Sequence, residues 1–237
     1  MNTSKTNKMS NTSYTIKKGM LAVVAIALSA ITFTSCDQHE IEDLSWHSWQ
    51  PGMVYTTNGD VLPFEKCQKE GKQPEAVLFY VDKTGETDAY AYAVTLKDCY
   101  KSAFCDPDTL YTAQGTSADY GAMDGESNTT LLRYGQTASP IAQNVLPRYF
   151  IPSVAEMYKL YYASLLVNNV LAQCGGDALP ITDKSCWYWT STECKGQQTD
   201  RAWCFSLYSG RFESADKHQE YATRPIMKIR LNKAEQQ

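Results

Sequence analysis

Histidine is scarce in this chain: there are three in 237 residues, His39, His47 and His218. None of the eight cysteines sits in a CxxC pair. Together these shortages argue against a zinc cage, which takes its ligands from closely spaced cysteines and histidines. Beyond the N-terminal segment there is no basic cluster, which excludes a cationic surface for nucleic acid. The longest apolar stretch, residues 20–31, falls short of the roughly 20 residues that a bilayer-spanning helix needs. Internal repeats and low-complexity tracts are also missing.

What is present at the start is an export signal. Lys5, Lys8, Lys17 and Lys18 lie in a polar segment without acids, and the apolar stretch follows directly. A basic segment before a short apolar core is the layout of a secretory signal. Phe33, Thr34 and Ser35 then lead to Cys36. This resembles the lipobox of bacterial lipoproteins, in which Cys36 receives the lipid, although Phe33 stands where an aliphatic residue is usual. The acidic run from Asp37 to Asp43 resembles the surface-export signal of Bacteroidetes lipoproteins; short acidic runs also serve as solvated tethers. The expected organisation is a signal over residues 1–36, a tether over 37–50 and one domain over 51–233. The expected location is the outer membrane, lipid-anchored, at the cell surface, with the inner face of that membrane as the alternative. Removing the four lysines leaves 18 basic against 26 acidic residues, a net charge near −8.

Seven cysteines then remain: Cys67, Cys99, Cys105, Cys174, Cys186, Cys194 and Cys204. An exported chain can form disulfides, but an odd number cannot all pair. Cys194 with Cys204, flanking a hairpin loop, and Cys99 with Cys105 are the candidate bridges. Sequence does not fix connectivity.

Along the domain, residues 53–55 and 61–62 flank an Asn58-Gly59-Asp60 turn and read as a short hairpin. Residues 76–81 (AVLFYV) read as a buried strand, and 89–96 (AYAYAVTL) as its antiparallel partner. Residues 97–127 show no sustained period, the mark of a long loop region where binding surfaces often sit. A short helix begins near Asn128. The clearest helix starts at Pro152-Ser153, with Glu156 completing a capping box, and a second segment spans about 165–172 before Gly175-Gly176. The last third is β-rich: residues 186–193, 201–208, 211–213 and 224–229.

Five segments in order, YFIPSVAEMYKLY, CGGDALP, WYWTSTE, RAWCFSLYSGRFE and YATRPIMKI, carry a resemblance. They resemble a domain family of unknown function in Bacteroidetes lipoproteins, related to the Fibrobacter major paralogous domain and including the C-terminal domain of a collagen-like adhesin. The matching residues are Pro152, Ser153 and Glu156, then Tyr188 to Glu193 in series, then Arg224, Pro225 and Ile226. The resemblance spans roughly residues 52–230. It implies a C-type-lectin-like α+β fold: antiparallel sheets, two central helices and long loops, distantly shared with formylglycine-generating enzymes.

The aromatic set Trp187, Tyr188, Trp189, Trp203, Tyr208 and Phe212, with Arg211 nearby, could stack sugar rings. Alternating members belong to a core, so outward residues and the loop from Cys194 to Asp200 are the better contacts. The Glu-Pro-Asn, Gln-Pro-Asp and Trp-Asn-Asp triplets of calcium-dependent lectins do not occur. Asp106, Asp108, Asp119, Asp124 and Glu126 read as a solvated acidic loop rather than a cation site. The Ser-Thr-Glu run at 191–193 has no histidine nearby to activate a hydroxyl, so Glu193 is expected to pair with Arg201 or Arg224. No catalytic residue, metal or cofactor is expected. The leading expectation is a membrane-anchored module binding a glycan or protein ligand, and the second is a structural component of an envelope complex. A formylglycine-generating activity ranks last, because Cys186, Cys194 and Cys204 form no recognisable copper pair.

Overall fold

The computed structural model describes residues 48–84, 89–135, 137 and 139–230. The signal, Cys36 and the tether as far as residue 47 lie outside these. The elements run β1 (Val54–Thr56), β2 (Val61–Leu62), α1 (Phe64–Lys69), β3 (Pro74–Asp82), β4 (Tyr90–Thr95) and β5 (Cys99–Ala103). Then come α2 (Gly125–Tyr134), α3 (Pro140–Gln143), α4 (Val154–Gln173), β6 (Tyr188–Glu193), β7 (Arg201–Ser206), β8 (Arg211–Asp216), β9 (Glu220–Thr223) and β10 (Ile226–Arg230). The protein is α+β.

Two five-stranded sheets form. The first has the order β10-β4-β3-β1-β2 and is antiparallel throughout. The second has the order β5-β9-β6-β7-β8, with β6 and β9 parallel at Tyr188 and Ala222. The first sheet is buried on both faces, which is why β3 reads as an unbroken apolar run. Val77, opposite Val94, faces the core under α4 with Val54, Phe79 and Ile226. Leu78, opposite Ala93, faces the second core with Met53, Met227, Phe104 and Trp189. Alanines at 76, 91 and 93 keep this second face shallow enough for those larger rings.

Helix α4 begins at the expected capping box. The Ser153 N–H donates to Glu156 Oε2 at 2.7 Å, and the Glu156 N–H returns to Ser153 Oγ at 3.4 Å. It then runs unbroken for 20 residues, so the two helical segments expected here are one. No glycine or proline interrupts it, and the Ser164 hydroxyl is absorbed by the Tyr161 carbonyl at 2.7 Å. It ends in a Schellman closure: Gly176 N–H to the Leu171 carbonyl at 2.9 Å, and Gly175 N–H to that of Ala172 at 3.4 Å. Met157, Leu160, Val167, Val170 and Leu171 bury its inner face. Truncating one such leucine to alanine costs about 2–5 kcal/mol.

The two sheets are joined at Arg224, between β9 and β10. Its guanidinium is fully buried and donates to the carbonyls of Thr95, Leu96 and Asp177 and to Asp98 Oδ1, at 2.8–3.1 Å. The Arg-Pro dipeptide of the terminal motif is therefore a staple holding β4, the start of β5 and the segment after α4. Trp49 packs on the second core, so the end of the expected tether docks on the domain. Among the described residues no helix is long and apolar enough to cross a membrane.

Candidate functional site

The segment between β5 and α2 has almost no regular structure, and its backbone must find partners elsewhere. It finds them at Glu193, the last residue of β6. Glu193 Oε1 accepts from the Gln114 N–H at 2.7 Å, and Oε2 accepts from the Thr116 N–H and hydroxyl at 2.9 and 3.0 Å. Lys217, just after β8, faces the same carboxylate at 2.5 Å, and both side chains are fully buried. The ammonium also donates to the carbonyls of Thr112 (3.0 Å) and Gln198, and lies 5.2 Å from the Phe104 ring centre.

The expected partners of Glu193 are thus replaced. Arg201 bonds the Ser214 hydroxyl and carbonyl at 2.9 and 2.7 Å, and Arg224 pairs with Asp98. Lys217 wins because the turn after β8 brings it beneath the loop, a proximity set by tertiary pairing rather than local sequence. Tyr111 adds a second fastening: its hydroxyl donates to Asp216 at 2.9 Å and its ring stacks on His218 at 4.0 Å.

Held this way, the loop presents Ser117, Ala118, Asp119 and Tyr120 to Lys195 and Gln198 of the β6–β7 loop. They enclose a cleft of about 590 Å³. The Ser117 N–H is fixed by Asn128 Oδ1 at 2.9 Å, and Asn128 in turn donates to Asp124 at 2.8 Å. Tyr120 is 56% exposed and lies on Phe212, centroids 5.5 Å apart and planes 31° apart. Phe212 meets Trp203 edge-on at 4.9 Å and Tyr158 at 6.0 Å. An aromatic ladder therefore runs from the open cleft into the core.

The sequence-expected contact residues divide. Tyr188 and Trp189 are buried: the Tyr188 hydroxyl donates to Asp98 at 2.8 Å and the Trp189 indole to the Ser102 carbonyl at 3.1 Å. Neither is available to a ligand, because β6 is covered on both faces. Trp187 is half-buried against the second core. Trp203 is half-buried within the ladder. Tyr208 is 41% exposed beneath Lys184, whose ammonium is 5.6 Å from the ring, and Arg211 is exposed. Tyr208 and Arg211 sit by the β7–β8 turn, at the opposite end of β7 from Lys195 and Gln198. Tyr120 and Ser117 belong to the aperiodic loop, where no sequence period could single them out.

The cysteines correct a further expectation. All seven described cysteines are free thiols. Cys194 approaches the Ser214 hydroxyl at 3.5 Å and Cys204 the Glu213 carbonyl at 3.3 Å, rather than each other. Cys99 approaches the Asn144 carbonyl at 3.3 Å and Cys105 that of Thr112 at 3.9 Å. Burial pushes the Cys204 thiol up to about 12 and the Cys174 thiol to about 11. Such thiols are poor nucleophiles.

Three of the acidic loop residues accept hydrogen bonds from nearby residues. Asp106 accepts from the Asp108 N–H at 3.0 Å, Asp119 from the Gly121 N–H at 2.9 Å and Asp124 from the Asn128 amide at 2.8 Å. Among the described residues no three His, Cys, Asp or Glu side chains converge on one point.

An α+β scaffold with a loop-built cleft that carries one exposed tyrosine is what the fold and the site define. No protein-family model matches the chain, and no curated protein matches it.

Proposed function

We propose that this is a lipid-anchored cell-surface protein whose C-type-lectin-like domain binds a ligand, a glycan, in the cleft beside Tyr120. The observation that carries the reading is the exposed Tyr120 ring, backed by Phe212 and Trp203 and flanked by Ser117, Asp119, Lys195 and Gln198. A rigid aromatic face suits the apolar face of a pyranose, and mixed donors and acceptors around it suit the hydroxyls. The C-type-lectin-like assignment draws support from the order of the five motif segments. They fall in turn on α4, its C-terminal closure, β6, the β7–β8 hairpin and the β9–β10 staple. The lipid anchor rests on the Cys36 sequence pattern.

A glycan array identifies the ligand, and titration of the best hit against Tyr120→Ala tests the site. Binding should weaken about tenfold or more with unfolding unchanged, as for loss of a central aromatic anchor. Equal affinity of the variant removes the cleft from the proposal, and silence on the array together with a stable envelope-protein complex favours an assembly role.

A further inference from the structure

The outer face of α4 is unlike an ordinary solvated helix face. Residues 160–176 contain no charged side chain. The residues turned outward include Tyr162, Leu165 and Leu166, which are 81%, 68% and 46% exposed. A helix with one face on a core normally carries charges on the other. Here apolar side chains continue around to the solvent side, where a contiguous apolar surface signals an interaction.

The patch adjoins the point where the chain enters the domain. Leu166 and Tyr162 line a shallow apolar cleft of about 470 Å³ with Pro51, Phe79, Tyr80 and Lys159. A second cleft, about 330 Å³, continues it from Leu166 to Gln50, Pro51 and Phe64. The Lys159 ammonium lies 4.6 Å from the Tyr80 ring centre, a cation at the rim of an aromatic and aliphatic surface.

We infer that this face rests on the bilayer that holds the lipid of Cys36, with Tyr162, Leu165 and Leu166 entering the headgroup boundary. The inference depends on the lipoprotein reading above. Cys36 precedes Ser48 by twelve residues, which span at most about 40 Å fully extended. A compact domain of this size is itself about 40 Å across. The surface around Pro51 is thus held within one domain diameter of the membrane, and the α4 face is the apolar surface beside it. Tyrosine, leucine and a rim lysine are also the residue types that settle at a bilayer interface. The mature chain is acidic, so an uncharged face is the one that approaches anionic headgroups with least repulsion.

Hydroxyl-radical footprinting with mass spectrometry tests this on the full mature chain in phosphatidylethanolamine and phosphatidylglycerol vesicles. The reference is the same chain with Cys36→Ser, free in solution without lipid. The mass of the N-terminal peptide comes first: no diacylglycerol on Cys36 defeats the anchor and this inference with it. With the lipid present, oxidation of Tyr162 and Leu165 should fall about fivefold on vesicles. Tyr100, 87% exposed and in β5 of the other sheet, should react equally in both. The lipidated Leu165→Glu, Leu166→Glu variant should stay on vesicles yet lose the protection of Tyr162. Unprotected Tyr162 on a lipidated chain overturns the docking and leaves the anchor standing. Protection that grows with concentration in the Cys36→Ser chain assigns the face to a second copy and also overturns it.

Discussion

Glu156→Gln isolates one titration that the fold perturbs strongly. Glu156 is 1% exposed at the first turn of α4, and burial pushes its carboxyl from 4.5 up to about 7. The neighbouring Asp124 carboxylate pushes the same way, while the N–H groups of Ser153 and Gly125 pull it back down. Tyr92 also faces it, and its other oxygen, Oε1, is buried without a hydrogen-bond partner. Helix-terminus donors favour the anion by up to about 2 kcal/mol, which desolvation here outweighs. Because the folded value lies above the unfolded one, the folded state holds the proton more tightly. Stability is then full below pH 4.5, declines as pH rises to about 7, and is level above that. The gap between the two values corresponds to about 3 kcal/mol. Glutamine keeps an acceptor for the Ser153 N–H and cannot ionise. Urea unfolding followed by tryptophan fluorescence, from pH 4 to 8, should show the wild type losing about 3 kcal/mol relative to Glu156→Gln across that window. Taking the difference cancels the other titrating groups. Parallel curves, or a wild type that gains on the variant as pH rises, would refute the reasoning, since the cap donors would then dominate.

Three further outcomes follow from named contacts. Lys217→Met leaves the Glu193 carboxylate buried and unpaired and should cost about 3–5 kcal/mol in denaturant unfolding. Gly210→Ala should cost more than about 1 kcal/mol, because the glycine has φ +67° and a Cβ there would come within 2.7 Å of the Tyr161 ring. Alkylation of denatured, unreduced protein should label all seven cysteines from Cys67 to Cys204, and any protected pair on the mass spectrum contradicts the free-thiol assignment.

Much of the scaffold is written locally. The run at 76–81 and its partner at 89–96 were readable because both faces of that sheet are buried, so apolar residues need not alternate. The Ser153–Glu156 capping box was readable because its two hydrogen bonds span three residues. What was not readable depends on tertiary covering. Strand β5 carries Lys101 and, among the described residues, lies at a sheet edge beside β9, so it lacks a buried-strand pattern. Helix α4 reads as two pieces because its solvent side is apolar as well, which blurs the period that marks a face. Tyr188 and Trp189 look like a sugar-stacking pair in composition, yet both are interior because β6, the middle strand of the second sheet, is covered on both faces. Tyr120, the best-placed ring, lies in a loop where neither period nor propensity points to it. The proposed contact ring therefore moves from β6 to the loop.

The buried Glu193–Lys217 pair gives this loop its shape, and its role is positional rather than stabilising. Desolvating two charges offsets much of their attraction, so an uncharged pair of similar volume is often as stable. What an uncharged pair loses is the strength of the acceptor. Glu193 holds the N–H groups of Gln114 and Thr116 through separate oxygens, and Lys217 ties Thr112 and Gln198 from below. These contacts fix the backbone that carries Ser117 to Tyr120 over Lys195. The double variant Glu193→Gln, Lys217→Met should be more stable than Lys217→Met alone, because no buried charge is left uncompensated, yet about 1–3 kcal/mol less stable than the wild type, because the glutamine NH2 sets a donor against one of the two loop N–H groups. Limited proteolysis between residues 107 and 120 should also become clearly faster, because charge-assisted bonds to the loop are about twice as strong as neutral ones. Cleavage at the wild-type rate would mean that Tyr111 on His218 and Asp216, with Asn128 on the Ser117 N–H, suffices to hold the loop. The cleft would then owe its form to these contacts at the loop's surface rather than to the ion pair beneath it.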